Sequence, residues 1–194
     1  MQFTKATNKD IGELIALWKL CFPEDAKEDV FLRDFFDTFF QRAEHPAEIV
    51  IAKETQPSDQ ILAMAVLIPV TLLCSGREHP IYYLYAMGTH PSLRGRGIGI
   101  GLLRFADETA LENGKDGIAL LPAESGLTEF YRKAGYEPCF TDDPELPDRI
   151  LYPPYYLAFE NRYEWDGAPE DVSGMFRPLR CKIKGLADMA YPLS

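Results

Sequence analysis

Arginines and glycines alternate in one short stretch near the middle of the chain. It reads Arg94, Gly95, Arg96 and Gly97, with Gly99 two positions later. A glycine has no Cβ, so a ligand can approach the backbone closely, and a guanidinium group donates hydrogen bonds to anions. These residue types at this spacing favour the binding of a phosphate group.

A strand and a helix are predicted on either side of this stretch. Residues 81–86 are aromatic or apolar, which predicts a buried strand. From Ile98 to Leu111 apolar residues recur at helical spacing, and Asn113-Gly114 predicts the end of that helix. The first N–H groups of a helix have no intrahelical acceptor and lie at the positive end of its dipole, which attracts anions. The sequence therefore predicts a phosphate site at residues 94–99.

The spacing of the glycines excludes two other kinds of phosphate site. A P-loop has Lys followed by Ser or Thr after its last glycine, and this stretch has neither. A dinucleotide fingerprint reads G-x-G-x-x-G, but the sixth residue is Ile100 counted from Gly95 and Leu102 counted from Gly97. A glycine-rich turn that holds no ligand remains as the alternative.

The composition is that of a globular protein. The chain has 194 residues, of which 46% are hydrophobic and 26% charged, enough to bury a core. A net charge of -10 argues against a nucleic acid or an anionic membrane as partner. An acidic surface is compatible with cationic amine substrates, or serves solubility alone. The N-terminus lacks a secretory pattern and no apolar run approaches about 18 residues, so we expect a cytoplasmic protein.

The cysteines and histidines show no metal-ligand pattern. The cysteines are Cys21, Cys74, Cys139 and Cys181. They include no C-x-x-C pair, so we expect neither a zinc site nor a disulfide framework. The histidines at 45, 79 and 90 have no ligand spacing either. We expect no metal.

Helical and strand patterns follow one another along the rest of the chain. The predicted strands are 2–6, 48–54, 60–74, 81–86, 117–122 and 155–160, and the predicted helices are 11–22, 25–43, 98–112 and 123–136. The helix at 25–43 carries an aromatic stripe, which is typical of core packing. Residues 56–59 and 74–80 are predicted as turns and 141–154 as a loop. Residues 165–194 show no clear periodicity.

This order of elements and two motifs resemble the GCN5-related N-acetyltransferases (GNAT). Arg94-x-x-Gly97-x-Gly99 fits the family's acyl-CoA pyrophosphate loop, Gln/Arg-x-x-Gly-x-Gly/Ala, and residues 130–136 resemble its segment Phe-Tyr-x-x-x-Gly-Phe/Tyr. The resemblance implies an α/β acyl-CoA N-acyltransferase fold: a mixed, mostly antiparallel sheet with splayed central strands and flanking helices. It covers residues 1–160, which we predict as the GNAT domain, and leaves 161–194 as a C-terminal extension of unassigned role.

The resemblance also implies a set of site residues. The backbone of residues 87–89 would pair with the pantetheine arm, and the loop amides would hold the pyrophosphate. Tyr131 occupies the position of the family's proton donor to the CoA sulfur. Glu124 stands where many members have Asn, and it could bond the pantetheine or meet the substrate ammonium. The expected residues that bind acetyl-CoA are Met87, Gly88, Thr89, Arg94, Gly95, Arg96, Gly97, Ile98, Gly99 and Glu124.

The general base is left open by the sequence. The predicted central strand contains no acid between Ile81 and Thr89, so Glu78, His90 or a chain of water molecules are alternatives. Residues 122–136 are also similar to the enhanced-intracellular-survival branch of the family. There the C-terminal carboxylate acts as the base, and in this chain Ser194 would supply it.

The function implied is the transfer of an acetyl group from acetyl-CoA to a primary amine of a small molecule or a protein. Two alternatives come from other classes of protein. One is a CoA-binding regulatory module without turnover, and the other is an interaction protein whose aromatic helix at 31–40 docks a partner. The expected partner is an amine acceptor. We expect no nucleic acid and no membrane as partners, and the sequence does not decide whether the protein forms a homodimer.

Overall fold

The computed structural model describes residues 1–23, 29–41, 47–55, 60–74, 77–140, 150–151 and 174–180. The strands are β1 (Gln2–Lys5), β2 (Glu48–Lys53), β3 (Ile61–Cys74), β4 (Arg77–Thr89), β5 (Gly117–Leu120), β6 (Glu137–Phe140), β7 (Ile150–Leu151) and β8 (Gly174–Pro178). The helices are α1 (Ile11–Cys21), α2 (Asp29–Gln41), α3 (Ile98–Glu112) and α4 (Thr128–Lys133).

The chain divides into two compact units. The first contains residues 1–68 and 84–108, and the second contains 69–83 and 109–194. The long strands β3 and β4 and the helix α3 each contribute residues to both units, because the boundaries fall inside these elements.

In the first unit the strands are neighbours in the order β1, β2, β3 and β4. The β1–β2 and β2–β3 pairs are antiparallel, with Thr4 opposite Ile51 and Val50 opposite Ala65. Residues 61–68 of β3 are all buried. Since successive side chains of a strand point to opposite faces, both faces of β3 are covered.

Aromatic side chains pack the helices of the first unit. The Trp18 ring of α1 lies 5.2 Å from the Phe35 ring and 5.8 Å from the Phe36 ring of α2. Phe35 and Phe36 are 4% and 0% exposed, so the prediction of core packing is confirmed for these two residues. Phe35 and Phe36 are therefore not accessible to a partner protein that docks on this helix.

In the second unit the neighbours are β3, β4, β5, β8 and β6, in that order, and β7 pairs with β3. β8 is antiparallel to both its neighbours, with Ala119 of β5 and Glu137 of β6 opposite Phe176. Residues 161–194 were predicted as an extension of unassigned role, and five of them form β8 within this sheet. The domain boundary itself stays a prediction.

Three local predictions differ from the structure. Residues 141–154 were predicted as a loop, but Ile150–Leu151 form β7, which pairs with Thr71 and Leu72 of β3. Residues 77–80 were predicted as part of a turn but begin β4, because long-range bonds hold them: the Asp116 N–H donates to the Pro80 carbonyl at 2.8 Å. The predicted helix at 123–136 is a 3₁₀ turn, Ser125–Leu127, followed by the short α4. The predicted turn at 56–59 and the predicted strand at 155–160 lie outside the described residues.

No helix in the described parts of the chain combines the length and the apolar character needed to cross a bilayer.

Candidate active site

The last residues of β4 carry the backbone that was predicted to pair with the pantetheine arm. Met87 and Thr89 are half-buried and Gly88 is buried. Gly88 packs against Cys21 at the end of α1, so closely that a Cβ at position 88 would lie 2.8 Å from the Cys21 Sγ atom. Only a glycine fits at this point of the strand without displacing α1.

The preceding residue is strained. Ala86 has a φ of 49°, and it is the only residue other than glycine with a positive φ in the described part of the chain. The left-handed conformation costs an alanine about 1–2 kcal/mol. Within a strand it is a feature of β-bulges, which disrupt the ladder and re-aim the residues beside them. Met87 thus follows a distortion of β4.

Two backbone hydrogen bonds hold the connection from β4 to α3. The His90 N–H donates to the Leu62 carbonyl at 2.8 Å, and the Leu93 N–H donates to the His90 carbonyl at 2.9 Å. Residues Pro91–Leu93 form a 3₁₀ turn. The segment that leads into the predicted phosphate loop is therefore fixed by the protein itself.

Two glycines give this loop its shape. Gly95 and Gly97 have φ values of 77° and 79°, in the left-handed region that glycine adopts without a steric penalty. A Cβ added to either residue would meet no other atom within 4 Å. The space over both glycines is open, so a ligand could approach the backbone there and a side chain would fill its place.

Helix α3 begins directly after Gly97. The Gly101 N–H donates to the Gly97 carbonyl at 3.0 Å, so the N–H groups of residues 98–100 precede the helical ladder and have no acceptor within it. The first turn carries no acidic residue, and no carboxylate of its own competes for these donors. The helix dipole adds positive potential at the same end, which favours an anion.

Arg94 lies between the loop and the end of α1. Its Nε atom donates to the Thr89 carbonyl at 3.3 Å. Burial raises the pKa of the Cys21 thiol, and the neighbouring Arg94 guanidinium offsets only part of this effect. The thiol therefore stays protonated at neutral pH and is a poor nucleophile there.

A cavity of about 310 Å³ opens beside the loop. Its polar lining comes from Glu54, Gln60, His90, Ser92 and Arg96, and its apolar lining from Leu62, Leu93 and Ile98. Arg96 and Ile98 belong to the residues that were predicted to bind acetyl-CoA.

The hydrogen bonds of His90 determine which ring nitrogen carries the proton. Its Nδ1 atom accepts from the Ser92 N–H at 3.3 Å and lies 2.9 Å from the Ser92 hydroxyl oxygen. A backbone N–H can only donate, so the neutral ring has its proton on Nε2. In this tautomer the basic lone pair lies on Nδ1, which already accepts a hydrogen bond from Ser92. This arrangement argues against His90 as the general base.

In the second unit, Tyr131 is held in α4 by its neighbours. The centroid of its ring lies 5.1 Å from that of Phe130 and 5.9 Å from that of Tyr136, both in edge-to-face contact. Only 7% of the residue is exposed. Burial raises the pKa of Tyr131 to about 12, so the phenol keeps its proton at neutral pH and is a hydrogen-bond donor.

Two acidic residues of the second unit are open to solvent. Glu124 is exposed and extended, with a φ of -153°, and its side chain does not cap the 3₁₀ turn that follows. Glu78 of β4 is exposed as well. Ser194 lies outside the described residues. In the described ranges, no group of three or more His, Cys, Asp or Glu side chains is placed to hold a metal ion.

A family model of the acetyltransferase (GNAT) domain matches residues 2–139. This chain belongs to the GNAT acetyltransferases. No curated protein sequence matches it.

Solved structures show the same GNAT fold. A GCN5-related N-acetyltransferase from Kribbella flavida is 23% identical with a TM-score of 0.55, and the match covers 72% of this chain and 33% of that one. This chain thus spans about a third of the length of that protein. A GNAT family acetyltransferase from Brucella melitensis in complex with acetyl-CoA is 22% identical, with a TM-score of 0.57 and coverage of 80% and 97%. An aminoglycoside 6'-N-acetyltransferase complexed with coenzyme A is 13% identical, with a TM-score of 0.64 and coverage of 94% and 99%. The predicted fold, a mixed sheet with flanking helices, is confirmed.

Sequence reasoning missed three features of this GNAT site. Ala86 gave no signal, because alanine does not favour a positive φ. The contact of Cys21 with Gly88 joins residues far apart in the sequence. The N–H of Ile100 could have been counted among the expected phosphate-binding groups. The predicted helix start at Ile98 already places it in the first turn of α3.

Proposed function

We propose that this GNAT protein transfers the acetyl group of acetyl-CoA to a primary amine of a small molecule or a protein. The observation that carries the proposal is the loop at residues 94–99. It combines two left-handed glycines under open space with a helix N-terminus whose first three N–H groups precede the helical ladder. This combination suits a phosphate group, and acetyl-CoA supplies a pyrophosphate.

The residues that would hold acetyl-CoA lie at the end of β4 and the start of α3. The amides of residues 97–100 would bind the pyrophosphate, with Arg94 and Arg96 adding charge-assisted hydrogen bonds. The backbone of residues 87–89 would pair with the pantetheine arm. When bound, acetyl-CoA supplies an activated thioester, and the protein's main task is to hold it and the amine in place.

Tyr131 would act on the leaving sulfur. As the new C–N bond forms and the C–S bond breaks, negative charge develops on the sulfur, and the phenol donates a hydrogen bond to it. A thiol has an ordinary pKa of about 8.5, so complete transfer of a proton from a phenol of pKa about 12 would cost about 5 kcal/mol. Tyr131 therefore stabilises the thiolate by hydrogen bonding, and the sulfur acquires its proton on release.

The amine must lose a proton before or during its attack. The Nδ1 lone pair of His90 already accepts a hydrogen bond from the Ser92 N–H, so His90 does not suit this role. Glu78 and Glu124 have exposed carboxylates, and either could receive the proton directly or through water. Glu124 could also attract the ammonium form of the substrate.

Release of free CoA thiol from acetyl-CoA, measured with a panel of amines, tests the proposal. The panel should include polyamines, peptide N-termini, lysine peptides and an aminoglycoside, the last because one protein of similar fold is an aminoglycoside 6'-N-acetyltransferase. Turnover above the rate of uncatalysed hydrolysis is expected with at least one class. Tight binding of acetyl-CoA without turnover on any amine would favour the CoA-binding regulatory module instead.

A further inference from the structure

Helix α4 ends in a motif that includes Tyr131 itself. Gly135 has a φ of 87°. Its N–H donates to the Arg132 carbonyl at 2.8 Å, and the Tyr136 N–H donates to the Tyr131 carbonyl at 3.1 Å. These two bonds around a left-handed glycine make up a Schellman motif, and Tyr131 is the residue whose carbonyl closes it.

The side chain of Tyr131 is attached to the same segment. Its ring packs against the Tyr136 ring at an interplanar angle of 68°, and Tyr136 is 0% exposed. Contacts between these two positions commonly accompany a Schellman motif. Backbone and ring of Tyr131 are thus both held by the residues that follow Gly135, so the conformation of this glycine determines where the phenol lies.

An arginine from β8 covers Gly135. A Cβ at position 135 would lie 2.6 Å from Nη1, 3.3 Å from Cζ and 3.8 Å from Nε of Arg177. The guanidinium therefore packs beside the glycine, in the volume that a Cβ would need. The backbone of Arg177 is itself fixed, because β8 pairs with β5 through Ile118 opposite Arg177 and also pairs with β6.

The positive charge of Arg177 is not what makes it special at the end of α4. The last turn of α4 already contains Arg132 and Lys133, which complement the negative end of the helix dipole. What Arg177 adds is a flat, rigid group that fits against a glycine, and a lysine side chain lacks this shape.

We propose that Arg177 is a positioning residue for Tyr131, acting through Gly135 and the Schellman motif. The proposal rests on the proposed function, in which Tyr131 donates a hydrogen bond to the leaving sulfur. Residue 177 lies beyond the part of the chain that the GNAT family model matches, 2–139. Efficient acetyl transfer would therefore require a residue from outside that region.

The end of α3 offers a matched control. Gly114 is left-handed, with a φ of 72°, and the same two bonds surround it: its N–H donates to the Leu111 carbonyl and the Lys115 N–H donates to the Ala110 carbonyl. Another arginine of the same segment, Arg180, donates to the Gly114 carbonyl at 3.2 Å. The motif and the kind of partner are alike, but this helix end carries no proposed catalytic side chain.

The activity test is a double-mutant cycle with Arg177→Ala and Tyr131→Phe, with Arg180→Ala as the control. Arg177→Ala is expected to lower kcat about tenfold while KM for acetyl-CoA changes less than about twofold, and Arg180→Ala to leave kcat within about twofold. In the Tyr131→Phe background, Arg177→Ala should have almost no further effect, because residues that act as a unit are not additive. An equal fall in kcat on Arg177→Ala in the wild-type protein and in Tyr131→Phe would overturn the proposal.

A readout without activity separates this proposal from the proposed function. With fluorotyrosine incorporated, the ¹⁹F resonance of Tyr131 is identified by its loss in Tyr131→Phe. It should shift or broaden in Arg177→Ala and stay in place in Arg180→Ala; an unchanged resonance in Arg177→Ala would overturn the positioning role. Full activity of Tyr131→Phe alone would instead refute the role of Tyr131 in the proposed function. If Arg177→Ala does not fold, Arg177→Met, which keeps the apolar stem, is interpreted in the same way.

Discussion

The loop before α3 and the end of α4 use the same backbone conformation for opposite purposes. Gly97 and Gly135 both have a φ in the left-handed region, 79° and 87°. A Cβ on Gly97 would meet nothing within 4 Å, whereas a Cβ on Gly135 would lie 2.6 Å from the Arg177 guanidinium. The backbone requirement is alike at the two positions, but the space around them differs.

This difference separates a binding glycine from a packing glycine. Where the volume beside the glycine is open and N–H groups of a helix start lie next to it, the missing side chain leaves room for a ligand. Where another side chain of the protein fills the volume, the missing side chain serves packing. The first kind of glycine should be essential for binding acetyl-CoA, and the second for the position of Tyr131.

The largest effect is expected from Gly97→Val. The β-branched side chain would occupy the place of the phosphate, so affinity for acetyl-CoA should fall by about 100-fold or more, measured by calorimetric titration. Gly114→Val is the control, because it places the same side chain on a left-handed residue outside the proposed site. Similar affinities in the two variants would show that the open space at Gly97 is not a ligand site.

Tyr131→Phe should lower kcat by about ten- to a thousandfold, the range expected when a group that donates to the leaving atom is lost. Affinity for acetyl-CoA should stay within about twofold, because the phenol acts on the transition state. Steady-state kinetics and titration measure the two quantities separately. An unchanged kcat would assign Tyr131 to packing, like Gly135.

Alkaline pH should destabilise the protein through Tyr131. Burial raises its pKa from an ordinary value near 10 to about 12, so the phenol ionises more readily in the unfolded chain than in the folded one. The contribution of the buried phenol to the free energy of unfolding is fully present below pH 10. It is lost as the pH rises through 12, by up to about 3 kcal/mol. Urea unfolding at pH 8 to 12 should show a smaller decline in Tyr131→Phe, and equal declines would contradict the burial of the phenol.

The smallest effect is expected at Ala86, a left-handed residue that is not a glycine. Ala86→Val should lower the free energy of unfolding by about 1–2 kcal/mol, because a β-branched residue tolerates a positive φ less well than alanine. Ala86→Gly should leave it within about 1 kcal/mol, since relief of strain and loss of chain entropy oppose each other. A fully stable Ala86→Val would show that β4 is not distorted there.

Local signals in the sequence predicted the parts of the fold that local physics determines. The residues at 60–74 predicted a strand, and the apolar spacing from Ile98 onward predicted the start of α3. Strand β8 gave no such signal, because it has only five residues and its pairing depends on β5 and β6. Residues 77–80 are strand as part of β4, which lies between β3 and β5 in the sheet, and Pro80 also accepts a hydrogen bond from the distant Asp116.

The same distinction applies to the candidate site. Gly97 and Tyr131 stand in motifs that can be recognised in the sequence. The strain at Ala86, the contact of Cys21 with Gly88 and the cover that Arg177 gives to Gly135 join residues distant in the chain or depend on one backbone angle. The spacing and composition of a sequence carry no information about such long-range contacts or about a single backbone angle.

Binding of acetyl-CoA to the loop at residues 94–99 is tested by the thermal shift of the purified, CoA-free protein with acetyl-CoA, CoA and a nicotinamide dinucleotide. A ligand at about 100 times its Kd adds about 2.7 kcal/mol of stability, which raises Tm by about 5–10 °C for a chain of this size. Such a shift is expected with both forms of CoA, and none is expected with the dinucleotide. No shift with either form of CoA would contradict the assignment of the open-glycine loop as a binding site for acetyl-CoA.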